Sequence, residues 1–503
     1  MSITTTDHAA AAPDISPEKG KGRWLALAVI AVSQLLIVLD ATIVNIALPT
    51  AQTALHISDA DRQWMITAYT LAFGGLLLLG GRIADYTGRK RAFIIGLLGF
   101  AAASALGGLA MNAGTLFAAR ALQGAFGALM APAALSLLTV TFTDAKERSR
   151  AFGVYGAIAG GGGAIGLLMG GLLTEYASWR WTLLVSTPIA IIAAVAAFRF
   201  VGESKAEGNT RYDLPGALTS TAGLVALVYG FTKAASDGWD APITIGLLAA
   251  AVVLLVGFVF IELRSSHPLL PMRVILDRNR GGSFLSALLI GVGMFGVFLF
   301  LTYYLQITLG YSAMETGVAF LPFTVGIIIG AGLSAQLLPR MGPRVLMFSG
   351  MLLAAAGMVL LTRIGLDTGY WSHVLPGVLL ISLGLGLTFG PMSNTALVGV
   401  EDHDAGVASA LINTTQQIGG SLGTAILNTI FTTVVAGYIT DHKSSITDPS
   451  QLPGLQGLAT VHGYRVAFWV SAGLIGLAAV LAAVLIKASK DQVSSSDAVH
   501  VAA

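Results

Sequence analysis

Apolar stretches of spanning length follow one another along almost the whole chain, near residues 24–48, 62–81, 92–111, 115–140, 151–173, 179–201, 214–233, 242–262, 283–308, 316–338, 345–364, 373–398, 405–436 and 464–486. A helix needs about 20 predominantly apolar residues to cross a bilayer. Within lipid the backbone must satisfy its own hydrogen bonds, which long segments of this kind do as helices. The expectation is an all-α integral membrane protein of fourteen transmembrane helices. Composition agrees, with 55% hydrophobic and only 11% charged residues among 503, where soluble domains carry about 25% charged residues. The net charge of +2 is small and its positive residues are scattered, so no nucleic-acid surface is indicated. Thiol chemistry, disulfides and cysteine metal sites are excluded, because the chain has no cysteine.

Orientation follows from Lys and Arg, which accumulate on the cytoplasmic side of a membrane. With the N-terminus inside, 21 of them fall in inner segments and six outside: Arg62, Arg180, Lys233, Arg363, Lys443 and Arg465. This split implies an even number of helices and cytoplasmic termini. Residues 1–22 read as a disordered cytoplasmic tail; the run from Trp24 to Leu48 is too long for a signal peptide and carries Asp40. The polar stretches 202–213 and 263–282 bracket a helix pair, while 437–463 reads as an outer loop. The expected organisation is a six-helix bundle over 23–201, a linker with inserted helix pair over 202–280, a second six-helix bundle over 281–486, and a cytoplasmic tail over 487–503. Two six-helix halves are what an alternating-access transporter built from repeats presents.

Two charges lie inside spans. Asp40 is about 16 residues into the first segment, where a carboxyl costs roughly 2.5–3.5 kcal/mol on insertion scales, so a functional role is the default reading. Such a group can take up and release a proton. Arg120 lies in LFAARALQGAFGALMAP. At 1.5 Å rise per residue, Arg120 lies about 7 Å and Asp40 about 12 Å from the outer ends of their helices, depths that permit an ion pair. The expectation is that Arg120 tunes the proton affinity of Asp40.

The loop GGRIADYTGRKR needs a sharp turn, which Gly81 and Gly88 permit. Its Asp85 can pair with loop cations such as Arg89, Lys90 and Arg91, or meet a helix N-terminus in the opposite half, forming a cytoplasmic gate. In GAIAGGGGAIGLLMGGLL, Gly162, Gly166, Gly170 and Gly171 provide the small residues that let membrane helices approach closely. Polar and aromatic residues set in the apolar matrix, namely Gln34, Asn45, Trp64, Tyr69, Gln123, Phe126, Phe295, Tyr303, Tyr304, Met392, Asn394, Asn413 and Gln416, together could line a broad cavity for lipophilic cations. No paired acids or Ser/His constellations lie in the spans and the histidines sit in tails, loops or span ends, so an enzyme, a metal site and a bound cofactor are not expected. A proton gradient is the expected energy source.

These motifs carry a resemblance. LDATIVNIALP (39–49) resembles the helix-1 signature of the fourteen-helix drug:proton antiporters of the major facilitator superfamily, the group that includes the quaternary ammonium and multidrug efflux pumps. GGRIADYTGRKR (80–91) resembles the superfamily's inner-loop motif, and RALQGAFGA (120–128) its helix-4 motif, in which the arginine is associated with proton coupling. GGAIGLLMGG (162–171), WRWTLLVSTP (179–188) and NTTQQIGGSLGTA (413–425) resemble the helix-5, helix-6 and helix-13 segments of the group. The helix-5 motif usually has Pro where this chain has Leu167, and the helix-6 motif Asn where it has Ser186. The resemblance implies two six-helix bundles around a central cavity, with proton-coupled efflux of lipophilic, often cationic drugs or metabolites across a bacterial inner membrane, and antibiotic resistance as its outcome. Its partners would be a small substrate, protons and lipid, with the chain acting as a monomer. A dedicated exporter of one endogenous compound, or a proton-coupled importer, remains the alternative on the same fold.

Overall fold

The structure is a computed structural model that describes residues 21–59, 61–142, 144–205, 213–265, 268–400, 405–443, 450 and 452–489. The first tail up to residue 20, most of the second tail, and the side chain of Phe295 lie outside the described residues. All regular elements among them are helical. In chain order they are α1 (Lys21–Ala54), α2 (Trp64–Thr87), α3 (Arg89–Gly108), α4 (Ala113–Thr141), α5 (Ala145–Tyr176), α6 (Trp181–Leu184), α7 (Ser186–Phe200), α8 (Leu214–Asp237), α9 (Pro242–Arg264), α10 (Met272–Ile275), α11 (Arg278–Tyr303), α12 (Ala313–Ala319), α13 (Leu321–Leu361), α14 (Leu375–Leu397), α15 (Ala405–His442) and α16 (Leu452–Leu485).

Among the described residues eleven helical stretches, some joining two neighbouring elements as α6 with α7 and α12 with α13, are long and apolar enough to cross a membrane, or twelve when α2, bent by 54° between Leu77 and Leu79, is taken as one span. Helix α13 joins two segments that the sequence suggested separately. It runs through Pro339 and Pro343, and its break is at Gly342, whose φ of 76° is open to glycine and costly for other residues. Stretch 437–463 is shorter as a loop than expected: α15 extends to His442 and α16 begins at Leu452, with Pro453 in its first turn, where proline is tolerated. Arg465 therefore sits inside α16, and its Nε donates to the Thr362 carbonyl at 2.8 Å.

Helices α1 to α7 pack among themselves, as do α11 to α16, while α9 rests on α8 alone. Helix α8 touches both α2 and α15. Contacts between the first and second sets concentrate at the end of the molecule opposite the loop 82–91. There Thr67 and Thr70 of α2 bond Thr424 and Ser421 of α15, each at 2.7 Å. Gln306 donates to the Ile46 carbonyl at 2.9 Å, and the Met314 N–H donates to Glu175 at 2.8 Å. Among the described residues, no comparable hydrogen bond joins the two sets near the 82–91 loop.

Candidate proton-coupling site and its surroundings

Asp40 on α1 and Arg120 on α4 are both buried, with exposures of 0% and 2%. Arg120 Nη1 donates to Asp40 Oδ2 at 2.6 Å. Gln123, one helical turn after Arg120 and so on the same face of α4, closes a ring: its Oε1 accepts from Arg120 Nη1 at 2.9 Å, and its Nε2 donates to Asp40 Oδ1 at 2.9 Å. The same Nε2 donates to Ser104 Oγ of α3 at 2.8 Å. Arg120 Nε donates to the Met65 carbonyl of α2 at 2.9 Å, and its guanidinium lies 4.6 Å above the Tyr69 ring. Four helices thus converge on one buried carboxylate, whose two oxygens are both satisfied. A low-dielectric setting makes such a network strong when complete and costly when broken. On the side away from the 82–91 loop, Val44, Leu48, Ala51, Met65, Leu116, Trp179 and Leu183 line a small apolar cavity against Arg120.

The reading of the sequence paired Asp40 with Arg120 but left Gln123 among cavity residues. Its three-residue spacing from Arg120 was the signal available. Ser104 carried none.

In the 82–91 loop, Asp85 pairs with Arg89 of its own loop, Nε to Oδ1 at 2.9 Å. Gly88 ends α2 at φ 114° and lets α3 begin at once. The Arg89 N–H donates to the Ser204 carbonyl at 2.9 Å, while Lys90 donates its backbone N–H to Glu203 at 3.0 Å and its Nζ to the Phe198 carbonyl at 2.9 Å. Through Arg89 and Lys90 the loop is therefore docked on the end of α7 and the segment that follows it. Gly81 faces Pro132 of α4, and Arg91 is exposed.

The glycines of α5 bring it against α1. A side chain on Gly162 would meet Val38 and Leu35, one on Gly166 would meet Thr42, and one on Gly170 would meet the Ile43 carbonyl at 2.7 Å. Gly171 instead faces the backbone of Ala313 at the start of α12, at 2.8 Å.

The thirteen cavity candidates separate. Tyr69 and Gln123 belong to the buried charge network. Trp64 stacks edge-on with Tyr229 of α8, and Phe126 fills the space beside Gly99 of α3. Tyr304 bonds the Gly365 carbonyl at 2.8 Å and Thr368 at 2.7 Å, and Met392 is 1% exposed. These four are packing residues, held by neighbouring helices, by the connection after α13 or within the buried core. Asn45 donates to the Ala41 carbonyl of its own helix at 2.9 Å. Gln34, Asn394 and Gln416 are half-buried and Asn413 is exposed, so these amides of α1, α14 and α15 are the members of the set that remain open.

Tyr303 has a separate role. Its hydroxyl donates to Gln52 Oε1, and its ring lies 4.3 Å from the guanidinium of Arg62. Arg62, which the sequence suggested as a loop charge, is 3% exposed; it also lies 4.8 Å from the Phe431 ring and donates from Nε to Asn428 at 3.2 Å. These residues are remote in sequence and no local pattern announces their meeting.

The family model for the Major Facilitator Superfamily matches residues 30–424. The chain belongs to the major facilitator superfamily. Relatives within it include the puromycin resistance protein of Streptomyces alboniger, 53% identical over 92% of this chain and 91% of that protein. The cephamycin export protein of Amycolatopsis lactamdurans is 39% identical over 80% of this chain and 84% of its own. A crystal structure of a bacterial homologue of the human lysosomal transporter Spinster, inward-facing and occupied, shares the fold with a TM-score of 0.67 at 15% identity, covering 94% of this chain and 99% of the other. This superfamily member is thus a multi-pass membrane transporter by family, and its all-helical architecture is the one the sequence led us to expect.

Proposed function

We propose that this chain exports small lipophilic, often cationic compounds across the bacterial cytoplasmic membrane by proton-coupled alternating access. The observation that carries the reading is the ring of Asp40, Arg120 and Gln123, a buried carboxylate held by a buried cation. Proton uptake by Asp40 removes the charge that holds Arg120 and loosens the ring; proton release restores it. Because the ring ties α1, α3 and α4 to the α2 backbone at Met65, its state bears directly on how α2 meets α15.

With the basic loop 82–91 on the cytoplasmic side and both termini there, the contacts of Thr67, Thr70 and Glu175 seal the extracellular end. Asp40 then gains its proton when that end is open and loses it toward the cytoplasm after substrate leaves. A ligand pumped this way must bind the two states differently. Fourteen spans follow if α5 and the two arms of α13 about Gly342 are each counted. The chain acts as a monomer with the proton gradient as its energy source and no cofactor.

The test is uptake into inverted membrane vesicles from an efflux-deficient host with an imposed pH gradient. Wild-type protein accumulates ethidium or puromycin in a gradient-dependent manner, and Asp40→Asn abolishes it while still inserting. Full transport by that variant sinks the proposal.

A second reading is favoured by the two relatives described above, which are named for puromycin and cephamycin: a dedicated exporter of one compound, with a puromycin-like amphiphilic amine as the first candidate. A substrate panel in the same vesicles separates the two, and the direction of uptake separates both from an importer.

A further inference from the structure

A second pair of buried acids lies away from Asp40, at the end of the inserted helix pair near the 82–91 loop. Glu262, in the last turn of α9, is 3% exposed, and Asp213, which caps α8, is 7% exposed. Each uses one oxygen structurally: Glu262 Oε2 accepts from the Leu270 N–H at 3.0 Å, and Asp213 Oδ1 accepts from the Gly216 N–H at 2.8 Å. The remaining oxygens, Glu262 Oε1 and Asp213 Oδ2, are buried without a hydrogen-bond partner among the described residues.

The two carboxyl groups face each other across Gly216. The position that a Cβ on Gly216 would take is 2.7 Å from Glu262 Oε1 and 3.0 Å from Asp213 Oδ1, which puts the groups within about 6 Å of each other. Gly216 is needed there, since any side chain would fill the gap. Arg82 of α2 faces the pair from beyond salt-bridge distance, and no described Lys, Arg or His nitrogen lies within 4.0 Å of either carboxyl. Arg211 and His267, near in sequence, lie outside the described residues.

Two buried carboxylates this close repel one another, which favours a proton on the pair, and an orphaned buried oxygen calls for a missing partner. We propose that Asp213 and Glu262 form a second proton-binding site, in which the two carboxyls hold one proton between them at neutral pH. The proton turns one carboxyl into a hydrogen-bond donor and leaves the pair with a single negative charge near Arg82. The site couples the inserted helices to α2, the helix that carries the 82–91 loop. It is independent of substrate and of transport direction.

Infrared difference spectroscopy of the purified full chain in lipid nanodiscs tests it. A carboxylic-acid C=O stretching band should be present at pH 7 and titrate at higher pH. It should vanish in Asp213→Asn/Glu262→Gln and persist in Asp40→Asn. Each single variant, which keeps the backbone hydrogen bond of its parent, should change the pH at which the band disappears, so the singles carry the test if the double variant does not fold. Spectra identical between wild type and these variants would mean two ionised carboxylates with other counter-ions, and overturn the proposal. Loss of the band on replacing choline with sodium would overturn it in favour of a metal-cation site.

Discussion

The guanidinium of Arg62 lies 4.3 Å over the ring of Tyr303, a contact between the segment joining α1 to α2 and the end of α11. With Phe431 on its other flank and Asn428 bonded to Nε, Arg62 is the buried centre of the seal at the end away from the 82–91 loop. Desolvated cation–π contacts contribute about 2 kcal/mol. Arg62→Ala should therefore shift the population toward a state open at that end. The chain has no cysteine, so a single Ala51→Cys, at a buried residue lining the apolar cavity beside Arg120, is its only thiol. Labelling of Ala51→Cys from outside the cell by a membrane-impermeant maleimide should be slow alone and at least about tenfold faster with Arg62→Ala; equal rates refute the assignment.

Gln123→Leu leaves Asp40 Oδ1 and the Ser104 hydroxyl without their amide partner. An unmet buried partner costs about 1–3 kcal/mol. The variant should unfold at lower temperature in detergent than wild type and lose most gradient-driven transport, while Ser104→Ala, which removes only a peripheral bond, should keep most of both. Thermal unfolding monitored by tryptophan fluorescence, paired with vesicle uptake, checks the ordering.

Gly171 and Ala313 meet backbone to backbone, at 2.8 Å from the position of a Cβ. Gly171→Val must push α5 off α12, where Glu175 also caps the Met314 N–H. External labelling of Ala51→Cys should rise as it does for Arg62→Ala. Gly162→Ala, which faces yielding Val38 and Leu35 side chains, should label like wild type.

Asp40 is fully enclosed and ion-paired, and Glu315 is engaged in capping α12, its carboxylate accepting the Ser312 N–H at 2.8 Å. Neither of these two carboxylates is free to meet a second positive charge beside the open amides of Gln34, Asn394, Asn413 and Gln416. Monovalent and neutral lipophilic compounds should be transported in preference to dications. Accumulation assays with matched mono- and bis-quaternary dyes measure this directly, and robust dication transport refutes it.

The membrane fold was legible because apolar length and the siting of Lys and Arg are physical requirements of a bilayer, and the Asp40–Arg120 pair because an unpaired charge in lipid is costly. Boundaries were less so. Gly454, Gly457 and Pro453 suggested a loop up to residue 463, yet α16 begins at Leu452 and takes in Arg465 by giving its Nε a carbonyl from Thr362. Glu262 was read as a span end, and its burial became visible only once residues 269–270 folded back over it. Arg62, Tyr303 and Phe431 meet through tertiary packing, which leaves no periodic trace.

Helix α8 has unequal attachments to its two neighbours. Gln63 bonds Thr232 at 2.8 Å, Thr221 bonds the Gly75 carbonyl at 3.3 Å and Trp64 stacks on Tyr229, all on the α2 side, whereas Thr429 to the Phe231 carbonyl at 2.9 Å is its hydrogen bond to α15. When the seam between α2 and α15 parts, α8 must give up either these bonds to α2 or its apolar packing of Leu224 and Val228 against Ile418, Leu422 and Ala425 of α15. Whichever helix set carries it, the inserted pair sweeps lipid with it, and the thickness and fluidity of the surrounding bilayer become part of the resistance against which each turnover works.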